Sequence, residues 1–594
     1  MDRQATCAAA TAPSDDTSTG RWVLVATILA SSMVFIDGSV VNVALPTLQR
    51  ELNASAADAQ WVVESYALFL AALILVGGSL GDHFGRKRIF LIGTVLFAVT
   101  SIWCGLAPDA GSLITARAAQ GVAGALLTPA SLAIISATFS NDEERGRAIG
   151  TWSGFTTITA AFGPVLGGFL VEQASWRWVF FINVPLAIAV VVVALPRMPE
   201  SRDADARRLD FGGAVLATVG LGALVYGLIE APLAGWTDPL VLASLAVGVL
   251  GLVAFVALEA RLHEPMLPLG LFRSHTFSGA NILTLLLYGA FGGALFFLPF
   301  NLIQVQGYSS TGAGAAFLPA ILLLFLLSRF TGGLAGRVGA KLPLIVGPVV
   351  VAVALLMMTL PGVGGSYWTT FFPAAVVFGV GMAITVPTLT TTVMNAVSQR
   401  QAGIASGANN AVSRTASLLA IAVFGVIVTT TFGSSLDDRL DRIDPAPEVR
   451  AELEAQRGDW AAAVIPEGTT PEQAAAFDRA VDEAFVSAFR IAMVVAAVMA
   501  LLSAVAAAVL IDGARPDRHG IANAPAGPTG RAFWNPILAG WAGTPRSKSG
   551  TLGAARSGLR PPEHRPPDTR AENPSTWREP PWTPPAATST RSAT

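Results

Sequence analysis

The chain has 594 residues, of which 53% are apolar and only 13% charged, with a formal net charge of −2 and a mean hydropathy of +0.57. Soluble domains carry about 25% charged residues, so an ordinary globular protein is excluded. The near-zero net charge says nothing about partners, because in a membrane protein the distribution of charge outweighs its sum. The two cysteines, Cys7 and Cys104, fall in a polar tail and in an apolar run. That leaves no disulfide framework or metal cluster to build, so neither a metal nor a cofactor is expected.

A bilayer core about 30 Å thick takes about 20 apolar residues per helix. Fourteen such segments lie near residues 22–45, 59–81, 89–107, 112–137, 147–171, 178–196, 211–230, 239–259, 277–300, 312–336, 342–362, 367–395, 402–431 and 485–511. They are long and continuous, so they predict membrane helices that satisfy their own backbone, not strands of a barrel. Residues 1–20 are polar, and the following apolar run is too long for a cleavable signal, so it is taken as the first span.

Basic residues in short links set orientation. With the N-terminus inside, the inner links hold Arg86, Lys87, Arg88, Arg145, Arg147, Arg197, Arg202, Arg207, Arg208, Arg261, Arg273, Arg337, Lys341 and Arg400, while the short outer links hold Arg50 and Arg177. A multi-pass protein of a bacterial inner membrane, both termini cytoplasmic, is expected. The acidic 432–484 link is long enough to cross regardless of charge and to form short amphipathic helices outside. Residues 512–594, rich in Pro, Gly, Ser, Thr and Arg, lack apolar periodicity and are expected to be a disordered tail.

An internal repeat organises the chain. Gly78-Ser79-Leu80-Gly81-Asp82-His83-Phe84-Gly85-Arg86-Lys87 follows the second segment, and Gly332-Gly333-Leu334-Ala335-Gly336-Arg337-Val338-Gly339-Ala340-Lys341 follows the tenth. Aligned without gaps they share glycine, leucine, glycine and lysine at matching places. Two homologous six-helix halves follow, at 21–197 and 277–511, with two additional helices between them at 198–276.

The first copy resembles the signature loop of the major facilitator superfamily. Phe35-Ile36-Asp37-Gly38-Ser39-Val40-Val41-Asn42-Val43-Ala44-Leu45-Pro46 is similar to the first-span motif of that superfamily's 14-span drug:proton antiporter branch. Arg117-Ala118-Ala119-Gln120-Gly121 resembles its span 4 element. Gly150 with Gly163-Pro164-Val165-Leu166-Gly167-Gly168 resembles its span 5 antiporter motif, with Thr159 where the middle glycine stands. Trp176-Arg177-Trp178-Val179-Phe180-Phe181-Ile182-Asn183-Val184-Pro185 looks like its span 5–6 connection. The resemblance covers residues 20–511. It implies an all-α membrane fold of fourteen helices and proton-coupled export by alternating access. It also implies a gate-latch role for the loop with Gly78, Asp82, Gly85, Arg86 and Lys87, and a hinge at Gly150, Gly163, Pro164, Gly167 and Gly168.

Asp37 lies about 20 Å into the first span at 1.5 Å per residue. A carboxylate at that depth marks a pathway unless it has a partner. It is the first candidate for exchanging proton and cargo; a permanent tie to an arginine is the alternative reading. Glu64 is the second candidate, facing either a cavity or the outer headgroups beside Trp61, with Tyr66 near enough to add cation–π attraction for cationic cargo. Arg117 cannot deprotonate but tunes a neighbouring carboxylate, and the resemblance implies a proton-relay role; Gln120 shares its helix face. Asn42, Tyr66, Gln120, Asn409, Asn410 and Arg414 are candidate cavity residues. Arg329 is a further buried polar group, and Phe291, Phe296, Phe297 and Phe300 are expected in packing.

The expected function is export of small cationic or amphipathic compounds or drugs against protons by a monomer in the lipid bilayer, with no nucleic-acid partner. A natural-product, sugar or lipid-precursor exporter on the same scaffold is the alternative. A membrane-embedded enzyme or sensor is remote. No G-x4-G-K-[ST] phosphate loop occurs, and the five histidines, His83, His263, His275, His519 and His564, all lie in loops or the tail.

Overall fold

The computed structural model describes residues 17–139, 141–203, 210–263, 265–331, 338–398, 401–464 and 469–512. These residues form helices and connections, with no strand among them. The long helices are α1 (Thr17–Glu51), α2 (Ala56–Phe84), α3 (Arg86–Gly105), α4 (Ala110–Thr138), α5 (Asp142–Gln173), α6 (Trp178–Arg197), α7 (Phe211–Ala234) and α8 (Pro239–Glu259). They continue with α9 (His275–Phe300), α10 (Ser310–Ala315 and Leu318–Thr331), α11 (Lys341–Met357), α12 (Phe371–Asn395), α13 (Ala402–Ile443) and α14 (Pro471–Leu510). Thirteen of the described helices are long and apolar enough to cross a membrane; α11, apolar but shorter, is the fourteenth segment.

Local chemistry sets the ends of these helices. Ser55 and Asp58 form a reciprocal capping box at the start of α2, and Asp109, Asp238, Ser274, Ser309 and Thr470 cap later helices through their side chains. Each cap satisfies backbone N–H groups that the helix itself leaves free.

Helices α1–α6 pack around one another, as do α9–α14. The hairpin of α7 and α8 is intermediate in sequence but peripheral in space, with α7 against α2 and α13. Repeat symmetry survives in the backbone: Gly85 has φ +107° and Gly339, its aligned counterpart, φ +85°. Both adopt the left-handed region that a side chain disfavours. Residues 332–337 of the second copy, Arg400, residues 204–209 with Arg207 and Arg208, and the tail beyond Asp512 lie outside the described residues.

The acidic 432–484 link is largely helical among the described residues. α13 runs on to Ile443 and α14 begins at Pro471, and between them lie the short helix Pro447–Ala455 and a 3-10 turn at Arg457–Ala462. The polar helix extensions are held by ion pairs, with Arg439 to Glu483 at 3.2 Å and Arg457 to Asp437. Trp460 anchors the turn, buried against Phe297 and Phe300 of α9.

Several polar contacts between the two halves lie at the end carrying this connection. Gln49 donates to the Asp459 carbonyl at 3.0 Å, Gln304 donates to the Gln49 side chain at 3.1 Å, and Glu172 accepts from the Thr311 N–H at 3.1 Å. Toward the other end of α5, a Cβ placed at Gly146, Gly150 or Gly154 would meet nothing within 4 Å.

Candidate functional site

Asp37 is fully buried, at the centre of a polar cluster drawn from four helices. Arg117 of α4 donates to Asp37 Oδ2 at 2.5 Å and to Gln120 Oε1 at 2.7 Å, while its Nε reaches the Val62 carbonyl at 3.0 Å. Asp37 Oδ1 accepts from Gln120 Nε2 at 2.9 Å and from Asn183 Nδ2, on α6, at 3.1 Å. Ser101 Oγ, on α3, accepts from both Gln120 and Asn183, and the Cys104 thiol lies 3.5 Å from Gln120 Oε1. Neither charge of the Asp37–Arg117 pair reaches solvent. Taking both out of water is expensive, and the surrounding amides supply the bonds that make such burial tolerable.

Asp37 therefore does not line the cavity in this state: the arginine-tied alternative is the arrangement found. Gln120 lies in the same cluster, outside the cavity that its face was expected to line. Asn183, Ser101 and Cys104 were not singled out, although Asn183 stands within the quoted span 5–6 motif and Ser101 and Cys104 lie one turn apart on α3.

Between the halves lies a cavity of about 430 Å³, lined by α1, α2, α5, α9, α10, α12 and α13. Three expected residues, Asn42, Tyr66 and Arg414, line it. Tyr66 touches both cavity and cluster: it lines the cavity, and the Arg117 guanidinium lies over its ring, 4.2 Å from the centroid. Asn409 instead donates to Asn281 and Thr284 of α9, tying two helices of one half together, and Asn410 is exposed; neither lines the cavity. Phe291, expected in packing, does line it, whereas Phe296, Phe297 and Phe300 are buried as expected. The side chain of Arg329 lies outside the described residues.

Glu64 is also fully buried and lies outside the cavity lining, with no hydrogen-bond partner for either oxygen. Its helix face belongs to the seam with α13: one turn earlier Gln60 donates to the Ile421 carbonyl, and one turn later Leu68 clusters with Leu418 and Ala422. The two carboxylates on which cationic cargo was expected are both absent from the cavity wall.

The glycines of α5 close gaps between helices. A Cβ at Gly163 would stand 1.9 Å from Ser39 Oγ, and one at Gly167 2.4 Å from Val40 Cγ2 and 2.8 Å from the Val40 carbonyl, on the turn of α1 that follows Asp37. At Gly168 it would stand 2.2 Å from the Ser310 carbonyl of the other half. Gly150 has open space, and Pro164 sits inside an unbroken helix. The motif thus packs α5 against α1 and α10. Thr159 satisfies its hydroxyl on the Phe155 and Thr156 carbonyls.

In the repeat loop, Asp82 pairs with Arg86 at 2.8 Å. At the N-terminus of α3, Glu200 accepts from the N–H groups of Lys87 and Arg88 at 3.0 and 3.2 Å. Lys87 Nζ donates to the Leu195 carbonyl. The close helix approach is at Gly77, where a Cβ would meet the Ala125 carbonyl at 2.0 Å; Gly78 and Gly81 have ordinary clearance. Glu200 and Gly77 were not singled out from the sequence.

The fold and these motifs agree with comparisons to known proteins. The Major Facilitator Superfamily profile matches residues 27–421. The chain belongs to that superfamily. It is a multi-pass membrane transporter of small molecules, not an enzyme. It is 37% identical over 427 residues to the multidrug resistance protein Stp of Mycobacterium tuberculosis, covering 72% of this chain and 79% of the relative. It is 34% identical to the tetracenomycin C resistance and export protein of Streptomyces glaucescens, over 78% and 86% of the two chains. It is 37% identical to the puromycin resistance protein of Streptomyces alboniger, over 70% and 83%. Among solved structures, a bacterial homologue of the lysosomal transporter Spinster, inward-facing and unoccupied, superposes with a TM-score of 0.58 at 18% identity, over 83% of this chain and 98% of that one. At that identity the likeness concerns the fold.

Proposed function

We propose that this transporter exports small amphipathic compounds in exchange for protons, with Asp37 as the group that takes up and releases the proton. The observation that carries the proposal is the buried Asp37–Arg117 pair beside the cavity, with Tyr66 lining the cavity and lying against Arg117. A buried pair that loses one charge leaves the other uncompensated, so protonating Asp37 frees Arg117 to seek a new partner and loosens its contact with Tyr66. Gly163 and Gly167 seat α5 on the turn after Asp37, and Gly168 seats α5 on α10. Movement at Asp37 is thereby passed to the contact that closes one end of the cavity. In this proposal the closed end is the outer one, both termini are cytoplasmic, and the protein acts as a monomer in a bacterial inner membrane. That orientation follows the basic residues of the inner links. The domain division at 21–197, 198–276 and 277–511 accompanies it, with the Asp82–Arg86 loop as the inner latch.

Export as the direction is supported by the names of three relatives, two given as resistance proteins and one as a resistance and export protein. The tetracenomycin C relative, named for one compound, favours a second reading in which the cargo is a single compound, the natural-product alternative among them. The test is efflux in a host stripped of its own pumps, with a panel of anionic, neutral and cationic fluorescent compounds. Expression should lower accumulation of at least one compound, and a proton uncoupler should restore it. Accumulation unaffected by expression for the whole panel would overturn export, and efflux indifferent to the uncoupler would overturn proton coupling.

A further inference from the structure

The cavity lining has one charged side chain among the described residues, Arg414 of α13, and no carboxylate. Its Nε is buried without an acceptor, and no described acid pairs with it. A guanidinium stays protonated under all physiological conditions, so the cavity holds an uncompensated cation at membrane depth, a costly arrangement that an arriving anion relieves. Asn42 Oδ1, on the opposite half, is a second orphan: it is buried, unpartnered and on the same lining. The same lining carries aromatic rings. Phe291 and Phe378 stack with centroids 5.5 Å apart and planes at 24°, and Phe317 meets Phe378 edge-on at 6.1 Å.

Resting on the exporter reading, we infer that this cavity selects planar aromatic anions that also carry a hydrogen-bond donor. The anionic group, a carboxylate or phenolate, pairs with Arg414 through charge-assisted hydrogen bonds. The donor, a hydroxyl or N–H, satisfies Asn42, and the ring system lies against the Phe291–Phe378 stack. The Asp37–Arg117 pair contributes no net charge beside it, and Arg414 is the one charged side chain on the described lining. A permanent organic cation meets repulsion from Arg414 and finds no lining carboxylate to offset it.

The test uses the full chain in lipid nanodiscs and two dyes built on one ring system, anionic fluorescein and cationic rhodamine 123, with binding read by fluorescence anisotropy. Wild type should bind fluorescein more tightly. Arg414→Gln should lower the fluorescein-to-rhodamine affinity ratio about tenfold or more, while Arg414→Lys keeps the anion preferred. Asn42→Leu should weaken fluorescein. Thermal unfolding of each variant verifies that it is folded. Tighter binding of rhodamine 123 by wild type, no binding of either dye, or an equal loss of both in Arg414→Gln would overturn the inference. The exporter reading is judged separately: uncoupler-sensitive efflux of cations but not anions would sink the inference and leave export standing.

Discussion

A methyl group added at Gly168 or at Gly314 is predicted to shift the equilibrium between transport states without touching the cavity. At Gly168 the new carbon falls 2.2 Å from the Ser310 carbonyl oxygen and 2.8 Å from Thr311 Cα; at Gly314 it falls 2.2 Å from the Pro164 carbonyl oxygen. Real Cβ atoms essentially never come within 3.0 Å of another heavy atom, so α5 and α10 must part by at least 3.0 − 2.2 = 0.8 Å. Both obstacles are backbone, so no side chain can rotate out of the way. Overpacking of this kind costs about 1–3 kcal/mol. The penalty falls on the state in which α5 and α10 touch; if the alternative state separates them, the equilibrium moves by about 5–150-fold. Nitroxide labels at the exposed Ala174 and Thr369, on opposite halves at the closed end, report the distance by pulsed electron resonance. Gly168→Ala and Gly314→Ala should each enlarge the long-distance population, and Gly150→Ala, with open space around it, should not. An unchanged distribution in Gly168→Ala, or an equal shift in Gly150→Ala, would refute the assignment of this contact as the closing one.

Three further outcomes are expected. Asp37→Asn should lower the thermal stability of the purified protein, because Arg117 keeps its charge at 1% exposure without a counter-charge; losing one partner of a buried pair costs about 3–5 kcal/mol, and the double variant Asp37→Asn with Arg117→Gln should recover part of the loss. A double variant no more stable than the single one would show that the two charges are not energetically paired. Gly85→Ala should destabilise the fold, since φ is +107° and the added carbon would meet the Glu200 carboxylate at 2.8 Å, whereas Gly81→Ala, with its nearest neighbour at 3.9 Å, should be tolerated; equal melting temperatures would contradict this. In a Cys7→Ser background, Cys104, buried beside Gln120, should resist a maleimide in wild type and react faster in Asp37→Asn, and rapid labelling of wild type would place the thiol outside the closed cluster.

Hydropathy made the spans legible because crossing a bilayer imposes one length and one composition on each of them, and even the short α11 stood out. The repeat was legible for a related reason: Gly85 and Gly339 answer the same backbone requirement twice. What the residues could not reveal was lateral order. Asp37 and Arg117 lie 80 residues apart, and hydropathy does not say which faces of α1 and α4 meet; a pathway carboxylate and a paired one look alike in sequence. Asn183 was hidden for the same reason, since its role appears only once α6 is laid beside α1 and α3. The cavity was harder still. About half its wall comes from apolar residues of α9, α10 and α12, Phe291, Phe317 and Phe378 among them, whose composition is that of lipid-facing residues, and only the packing of those helices turns them inward. Asn409 and Arg414 share α13, yet the first bonds to Asn281 and Thr284 on α9 and the second lines the cavity.

The most direct measurement of the central claim is proton movement driven by cargo in proteoliposomes, read by an internal pH indicator, using whichever compound the efflux panel identifies. Wild type should move protons opposite to the cargo. Asp37→Asn, reconstituted to the same density, should exchange labelled for unlabelled cargo while moving no protons. Proton antiport of undiminished stoichiometry in Asp37→Asn would contradict the assignment of the coupling site to the Asp37–Arg117 cluster.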